Sequence, residues 1–260
     1  MNNLQGRKQH QRDARVRFIA SSHTYYVDDS SRGYVSTTTL LKTLFAKFDA
    51  DDVIGKMHQS KNWLNSVYHG MSSTEIKDRW EQNRIMAANA GTLMHLNIDK
   101  FYNNKSHVAR TKEFELFESY VNDHKSLKPY ASEWCIFDDE AKVCGTVDII
   151  YEDTTKTGSY ILVDWKRSKS IQYHNRWKAG VDSFTSHLPD CNFIHYSFQL
   201  AFYKYILETK YDLRISQTMI VLLHPSQSSY KEISTKDLDY EVRLIMERRR
   251  ATMGVNRGYD

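Results

Sequence analysis

Asp148, Asp164 and Lys166 are ionisable side chains set inside otherwise apolar, strand-like runs, positions that strands ordinarily give to Val, Ile or aromatics. In Tyr160 to Lys166, strand alternation places Leu162, Asp164 and Lys166 on one face and Ile161, Val163 and Trp165 on the other. Asp164 and Lys166 therefore point the same way, with Cα atoms roughly 6 to 7 Å apart. By the same rule Asp148 shares a face with Thr146 and Ile150, and Glu133 with Cys135 and Phe137. Pairing that brings these faces together would converge three carboxylates and one ammonium. Carboxylates crowded into one pocket raise one another's pKa unless a cation neutralises them, and hard oxygen donors without a thiolate select Mg²⁺ or Mn²⁺. Such an ion, keeping water in its shell, generates a hydroxide-like nucleophile and stabilises charge on a phosphodiester in flight. Lys166 would orient or deprotonate that water or neutralise the developing oxyanion; nearby carboxylates raise its pKa and a cation lowers it, so the sequence leaves its role open. Taken singly, each of these residues also reads as the polar face of an exposed strand closing a weak surface pair. Their conjunction favours the site.

These positions need a sheet and helices to hold them. Ser132 to Phe137, Lys142 to Tyr151 and Tyr160 to Lys166 are strand-like runs with short polar separators, so the simplest pairing is an antiparallel meander. Upstream, 17–27 reads as one strand and 28–33 as a turn. Ser36 caps a helical run with Leu40, Leu41, Leu44 and Phe45, and a second helix covers 49–68. Ser72 and Glu75 form an S-x-x-E capping box opening a long helix to about Phe101. Another helix covers 113–124. Downstream come a polar connection, 169–192, with at least one helical turn, a helix over 196–210, strands at 217–224 and 230–233, and a helix over 236–252. The class implied is α+β (mixed α/β): a small central sheet flanked by helices. The segments divide as a flexible basic tail at 1–17, an N-terminal strand and helices packed on the core at 18–71, and the core itself at 72–260.

The chain has 260 residues, 40% hydrophobic and 26% charged, with only ten Gly and three Pro. Those values exclude collagenous, coiled-coil and wholly disordered classes and favour long elements. The longest apolar run, Met219 to Leu223, is far shorter than the ~20 residues that cross a bilayer, so no membrane partner is expected. The basic start lacks the apolar stretch of a secretory signal. Cys135, Cys144 and Cys191, an odd number at unrelated spacings, fit an intracellular, reducing compartment; cytoplasm, nucleus, mitochondrion and a viral setting are not distinguished. His187, Cys191 and His195 have a ligand-like spacing, but Pro189 interrupts any helix that would align them, so they read as loop and core residues. The net charge of +4 permits a nucleic-acid partner without demanding one.

Gly91-Thr92-Leu93-Met94-His95, Glu133, Gly145-Thr146-Val147-Asp148, Asp164-Trp165-Lys166 and Gln199-Leu200-Ala201-Phe202-Tyr203 follow one another in order. This series resembles the motifs of the PD-(D/E)XK nucleases, and is similar to those of their RecB-like exonuclease branch. Each motif alone is weak; five in order across about 72–210 are a strong signal. His23-Thr24-Tyr25-Tyr26 and Ser36-Thr37-Thr38-Thr39 resemble the branch containing the mitochondrial genome maintenance exonuclease and relatives from large DNA viruses. The resemblance implies a restriction-endonuclease-like core. It implies that His95, Asp148, Asp164 and the Trp165 carbonyl ligate Mg²⁺ or Mn²⁺, that Glu133 completes the acidic cluster or supports a second ion, and that Lys166 acts on the attacking water. Gln199 and Tyr203 would contact the nucleic-acid strand or brace the site. Relatives with four cluster-binding cysteines differ from this chain, for which no iron–sulfur cluster is expected.

Local spacing adds to this. Gly91 and His95 share a helix face, and a mid-helix Gly, costing about 1 kcal/mol, implies close approach of that helix to the sheet. Asp99, one turn on, could hold the other His95 nitrogen, though it reads more simply as solvated. Gln199 and Tyr203 also face together. Arg167 and Lys169, followed by Arg176 and Lys178, place positive charge after the acidic strand, to grip phosphates or simply to face water. The expected activity is a metal-dependent exonuclease on DNA that is single-stranded or has free ends, with RNA as an alternative substrate and a replication or recombination protein as a conceivable partner. The alternatives are an endonuclease and a non-catalytic nucleic-acid-binding module.

Overall fold

The computed structural model describes residues 10–255. The stretch predicted as one strand is a hairpin of β1 (Val16–Ile19) and β2 (Thr24–Val27), folded back through a turn ending at His23, whose φ is +50°. β3 (Val35–Ser36) leads into α1 (Thr37–Lys42), where Ser36 Oγ accepts from the Thr39 N–H as expected of a cap. α2 (Ala50–His58), capped by Asp49, ends well before the predicted Tyr68. Beyond it the Ser60 and Ser66 hydroxyls accept from the N–H groups of Asn62 and Tyr68, local bonds that compete with helix. α3 (Ser73–Tyr102) carries the predicted capping box, Ser72 accepting from the Glu75 N–H and Glu75 from the Ser72 N–H. α4 (Lys112–Asp123) is capped by Thr111.

β4 (Lys128–Asp138), β5 (Val143–Glu152) and β6 (Ser159–Lys166) form the predicted antiparallel meander. The connection that follows contains no helix; it is held by turns and by isolated bridges, Phe45 to Gly180 and Ala179 to Pro189. α5 (Asn192–Lys210) therefore starts earlier than predicted. It is followed by β7 (Arg214–Leu222), β8 (Lys231–Ser234) and α6 (Asp239–Val255). β7 runs parallel to β6 and β8 antiparallel to β7, giving a mixed six-stranded sheet ordered β3-β5-β6-β7-β8 with β4 on the other edge of β5.

Alternation along the strands feeds two cores. On one face Leu41, Ile136, Val143, Leu162, Ile220, Phe198, Phe202 and Ile245 bring α1, α5 and α6 onto the sheet. On the other Met94, Ile98 and Tyr102 of α3 and Phe117 and Tyr120 of α4 meet Ile149, Val163, Trp165 and Val221. The hairpin covers Phe137 and Cys144 on that second face. This is the α+β class anticipated, with a helix-flanked mixed sheet. Among the described residues no helix is long and apolar enough to cross a membrane.

The expected basic tail makes contacts in its described part. Residues 10–17 pack on the core: the Arg12 guanidinium sits 4.1 Å from the Phe137 ring centroid and 2.9 Å from Asp139, and Trp134 Nε1 donates to Asp13 Oδ1 at 2.7 Å. A basic residue with both an aromatic face and a carboxylate to cover has reason to order. Residues 1–9 of that tail lie outside the described residues.

Candidate metal centre

The site lies where the sheet forks. β5 and β6 pair from Glu152 and Tyr160 as far as Ile149 and Val163, and no further. At its other end β5 pairs on the same edge with β3, at Val143 and Cys144. Gly145 to Asp148 are thus left between two partners. Lys166 accepts from the Leu223 N–H on the β7 side, so the odd residues of β6 turn their N–H and C=O groups toward β5. Past the fork Trp165 has no strand to meet on its β5 edge, and Asp148 Oδ2 accepts its N–H at 2.8 Å. The Trp165 carbonyl, an expected ligand, faces the same gap by that geometry. Thr146 is bonded to Tyr25 of the hairpin while Ile150 lies in the α5-side core, so the strict alternation that placed both beside Asp148 fails here.

The opening lets side chains from the two faces meet. From the α3 side, His95 Nδ1 lies 3.6 Å from Asp148 Oδ2 and 3.7 Å from Glu133 Oε1. One donor atom from each of His95, Glu133 and Asp148 falls within 4.8 Å of the others, and this is the one such cluster among the described residues. Glu133 is aimed there from a left-handed backbone, φ +43°, an uncommon conformation for a non-glycine residue. From the α5 side comes Asp164, 1% exposed, with Lys166 Nζ 2.7 Å from its Oδ2. Lys166 donates to Gln199 Oε1 at 2.9 Å, and Gln199 Nε2 donates to the Tyr203 hydroxyl at 3.0 Å. Gly145 is required for this: a Cβ there would stand 2.3 Å from Tyr203 Cε1.

The charges are unbalanced. Burial pushes the Asp164 carboxyl up to about 6, against the opposing pull of Lys166. Burial also raises Asp148, with Glu133 adding to it and His95 opposing. Burial would lower His95, but Asp148 and Glu133 outweigh it and bring the imidazole to about 9; Lys166 is likewise raised by Asp164 and Asp148 against its burial. Asp164 Oδ1 is buried with no hydrogen-bond partner, a costly state for a carboxylate oxygen. His95, Glu133 and Asp148 are a hard donor set that fits a divalent ion, and the orphaned Asp164 carboxylate, outside that 4.8 Å cluster, feels the charges of Asp148 and His95.

The structure narrows several sequence expectations and corrects others. Of the two roles expected of Tyr203, strand contact or bracing, its burial at 4% exposed over Gly145 favours bracing: with Gln199 it holds Lys166. The Arg167 charge is engaged by Glu113 at 2.7 Å on α4. Lys169 has no ion pair among the described residues. A Cβ at Gly91 would meet nothing within 4 Å, so that glycine marks no close approach. Asp99 accepts from Ser132 and Asn103 rather than from His95. His187 pairs with Glu241 and His195 with Asp190, and they form no cluster with Cys191. Sequence reasoning missed Tyr196 as a site residue; its ring centroid lies 5.0 Å from Lys166 Nζ. Its signal was its position one turn before Gln199.

Residues 57–247 match the family model described as the PD-(D/E)XK nuclease superfamily. A comparison with curated proteins finds no match. Among solved structures, one described as "Crystal structure of SSO0001" is similar over 85% of this chain and 76% of its own, at 15% sequence identity and a TM-score of 0.35.

Proposed function

Because this chain belongs to the PD-(D/E)XK nuclease superfamily, whose members are metal-dependent nucleases, we propose that it hydrolyses DNA phosphodiester bonds with Mg²⁺ or Mn²⁺, as an exonuclease on single-stranded or end-containing DNA. The observation that carries the metal reading is the sealed Asp164 carboxylate, one oxygen without a partner, at the fork it shares with Asp148. Asp148, Asp164, His95 and Glu133 would hold the ion, with the Trp165 carbonyl toward the same gap. When bound it would supply an activated water and charge stabilisation at the phosphate. Lys166, held by Asp164 and Gln199 and kept charged by the carboxylates, places an ammonium where it can orient that water or meet the developing oxyanion. Tyr203 fixes Gln199, which fixes Lys166. The preference for ends and single strands draws on the motif order resembling the RecB-like branch, and the three free thiols agree with work in a reducing compartment.

The test is digestion of end-labelled linear single-stranded DNA, the same strand circularised, duplex DNA and RNA, with Mg²⁺, Mn²⁺ or EDTA. The reading expects metal-dependent shortening of linear single strands and an intact circle. A cut circle overturns the exonuclease assignment, and no cleavage of any substrate with either ion overturns the nuclease assignment.

A further inference from the structure

Trp177 is 92% exposed. Large aromatic surface left in water is uncompensated apolar area, which commonly marks a contact site. It stands in the connection between β6 and α5, whose start follows Lys166 and whose end leads to Tyr196 and Gln199, so both ends are rooted in the metal centre.

The segment that displays it is built. Asn175 Oδ1 accepts from the N–H groups of Trp177 and Lys178 at 3.0 and 3.1 Å, and Asn175 Nδ2 donates to the Asp190 carbonyl at 2.7 Å. The Asp190 N–H returns to the Lys178 carbonyl, the Gly180 N–H to Leu188 and the Val181 N–H to Leu44. Thr185, fully buried, donates to the Leu44 carbonyl at 3.1 Å, and a Cβ on Gly180 would stand 2.2 Å from its hydroxyl. The ring is therefore presented from a fixed support.

Its setting is basic. Lys169, Arg176 and Lys178 have no ion pair among the described residues, whereas the acids of the same segment are engaged, Asp182 with Arg248 and Asp190 with His195. A second exposed ring, Phe48 at 68%, stands three residues beyond Phe45, which is bridged to Gly180, itself three residues beyond Trp177. Three extended residues reach at most about 11 Å, which bounds the distance of each Cα from that bridge, and Phe48 also meets the Trp80 ring edge-on at 5.9 Å. Exposed aromatics interleaved with uncompensated cations are complementary to a strand whose bases are unpaired and whose phosphates are charged, because every base has a face to stack and every nucleotide a charge to meet.

We infer that Trp177 stacks on an unpaired base of the substrate strand, with Arg176 and Lys178 on the neighbouring phosphates. The inference rests on the nuclease reading of the adjoining centre and names how that centre's substrate is held. Stacking is worth ~1 to 3 kcal/mol per base, a roughly 5- to 150-fold change in Kd. The test measures binding of a fluorescein-labelled single-stranded DNA and a blunt duplex of the same sequence to the full chain in EDTA, for wild type, Trp177→Ala and Trp177→Phe, with thermal melts alongside. The expected result is a 5- to 150-fold weaker Trp177→Ala complex with the single strand, recovery to within about threefold in Trp177→Phe, an unchanged duplex affinity and an unchanged melt. Wild-type affinity in Trp177→Ala, or equal loss on both DNAs, overturns the stacking role; the first outcome points instead to a protein partner for the ring. Asp164→Asn separates the two readings: if it still cleaves, the metal centre is wrong whatever Trp177 does, and if it is inactive yet binds through Trp177, both stand.

Discussion

Two buried aspartates of one sheet are treated in opposite ways. Asp138 and Asp164 are 0% and 1% exposed. At the end of β4, Asp138 Oδ1 accepts from the N–H groups of Glu140 and Ala141, each at 2.9 Å, and has Lys210 Nζ at 3.9 Å, while Oδ2 lies 2.7 Å from Arg250. Asp164 has Lys166, an orphaned Oδ1 and the like charge of Asp148. Ionised groups out of water cost several kcal/mol unless charge and hydrogen bonds offset it. At Asp138 the chain supplies both; at Asp164 it leaves a deficit that a divalent cation fits. Depth and residue type are the same, so the partner set separates a structural carboxylate from a site carboxylate.

Neutralising the two residues should therefore have crossed effects. Asp164→Asn removes a proposed ligand of an ion worth several kcal/mol of transition-state stabilisation, so metal-dependent cleavage should fall about a thousandfold or more. Its metal-free melting temperature should hold or rise, since a repulsive, desolvated charge is gone. Asp138→Asn should leave cleavage of the folded protein near wild type but cost ~3 kcal/mol, the low end for breaking a buried pair because Arg250 keeps some solvent. At this chain length that is roughly 6 to 12 °C in Tm. Equal effects of the two substitutions in both assays would break the comparison.

The same contrast has a pH signature. Asp164, raised to about 6 in the folded chain from 3.8, binds its proton more tightly folded than unfolded. The stability it contributes is full below pH 3.8 and lost as pH rises through 6, on the order of 3 kcal/mol for two units. Beside Asp138, burial alone would raise Asp139, but the Arg12 hydrogen bond outweighs it and holds that carboxyl low. Its contribution is present above the ordinary carboxylate range and lost as pH falls below it. Denaturant melts in EDTA should show Asp164→Asn flattening the loss around pH 6 and Asp139→Asn flattening the acid loss.

Glycines give the smallest and sharpest test. Gly145→Ala drives a Cβ against Tyr203, costing about 1 to 3 kcal/mol and displacing the Tyr203–Gln199–Lys166 chain, so stability and cleavage should both drop. Gly91→Ala, in open space on α3, should stabilise by up to about 1 kcal/mol and leave cleavage intact. Melts and rates measured on both variants check this.

Much of this centre was legible because its positions obey local rules. Polar residues inside apolar strands exposed Asp148 and Asp164, helix spacing paired Gln199 with Tyr203, and the Ser72–Glu75 box located the long helix. What escaped depends on long-range geometry. Alternation could not foresee that β5 and β6 part at Ile149 and Val163, which is what brings Glu133 and His95 from one face to Asp164 and Lys166 from the other. Exposure is invisible to spacing, so the sequence leaves open whether Tyr203 contacts a strand or braces the site, whereas the fold buries this α5 side chain over Gly145; nor does spacing single out the exposed Trp177. Partner choice is equally hidden: nothing near Arg167 in sequence announces Glu113, which is 54 residues away.

Direct titration of Mn²⁺ into EDTA-stripped, dialysed protein, following loss of the free-ion EPR signal for wild type, Asp164→Asn and Asp138→Asn, addresses the charge deficit itself. Saturable binding by wild type and Asp138→Asn that is weakened at least tenfold in Asp164→Asn is the predicted result. Equal uptake by all three proteins, or none by wild type, would contradict the assignment of the sheet fork as a metal centre.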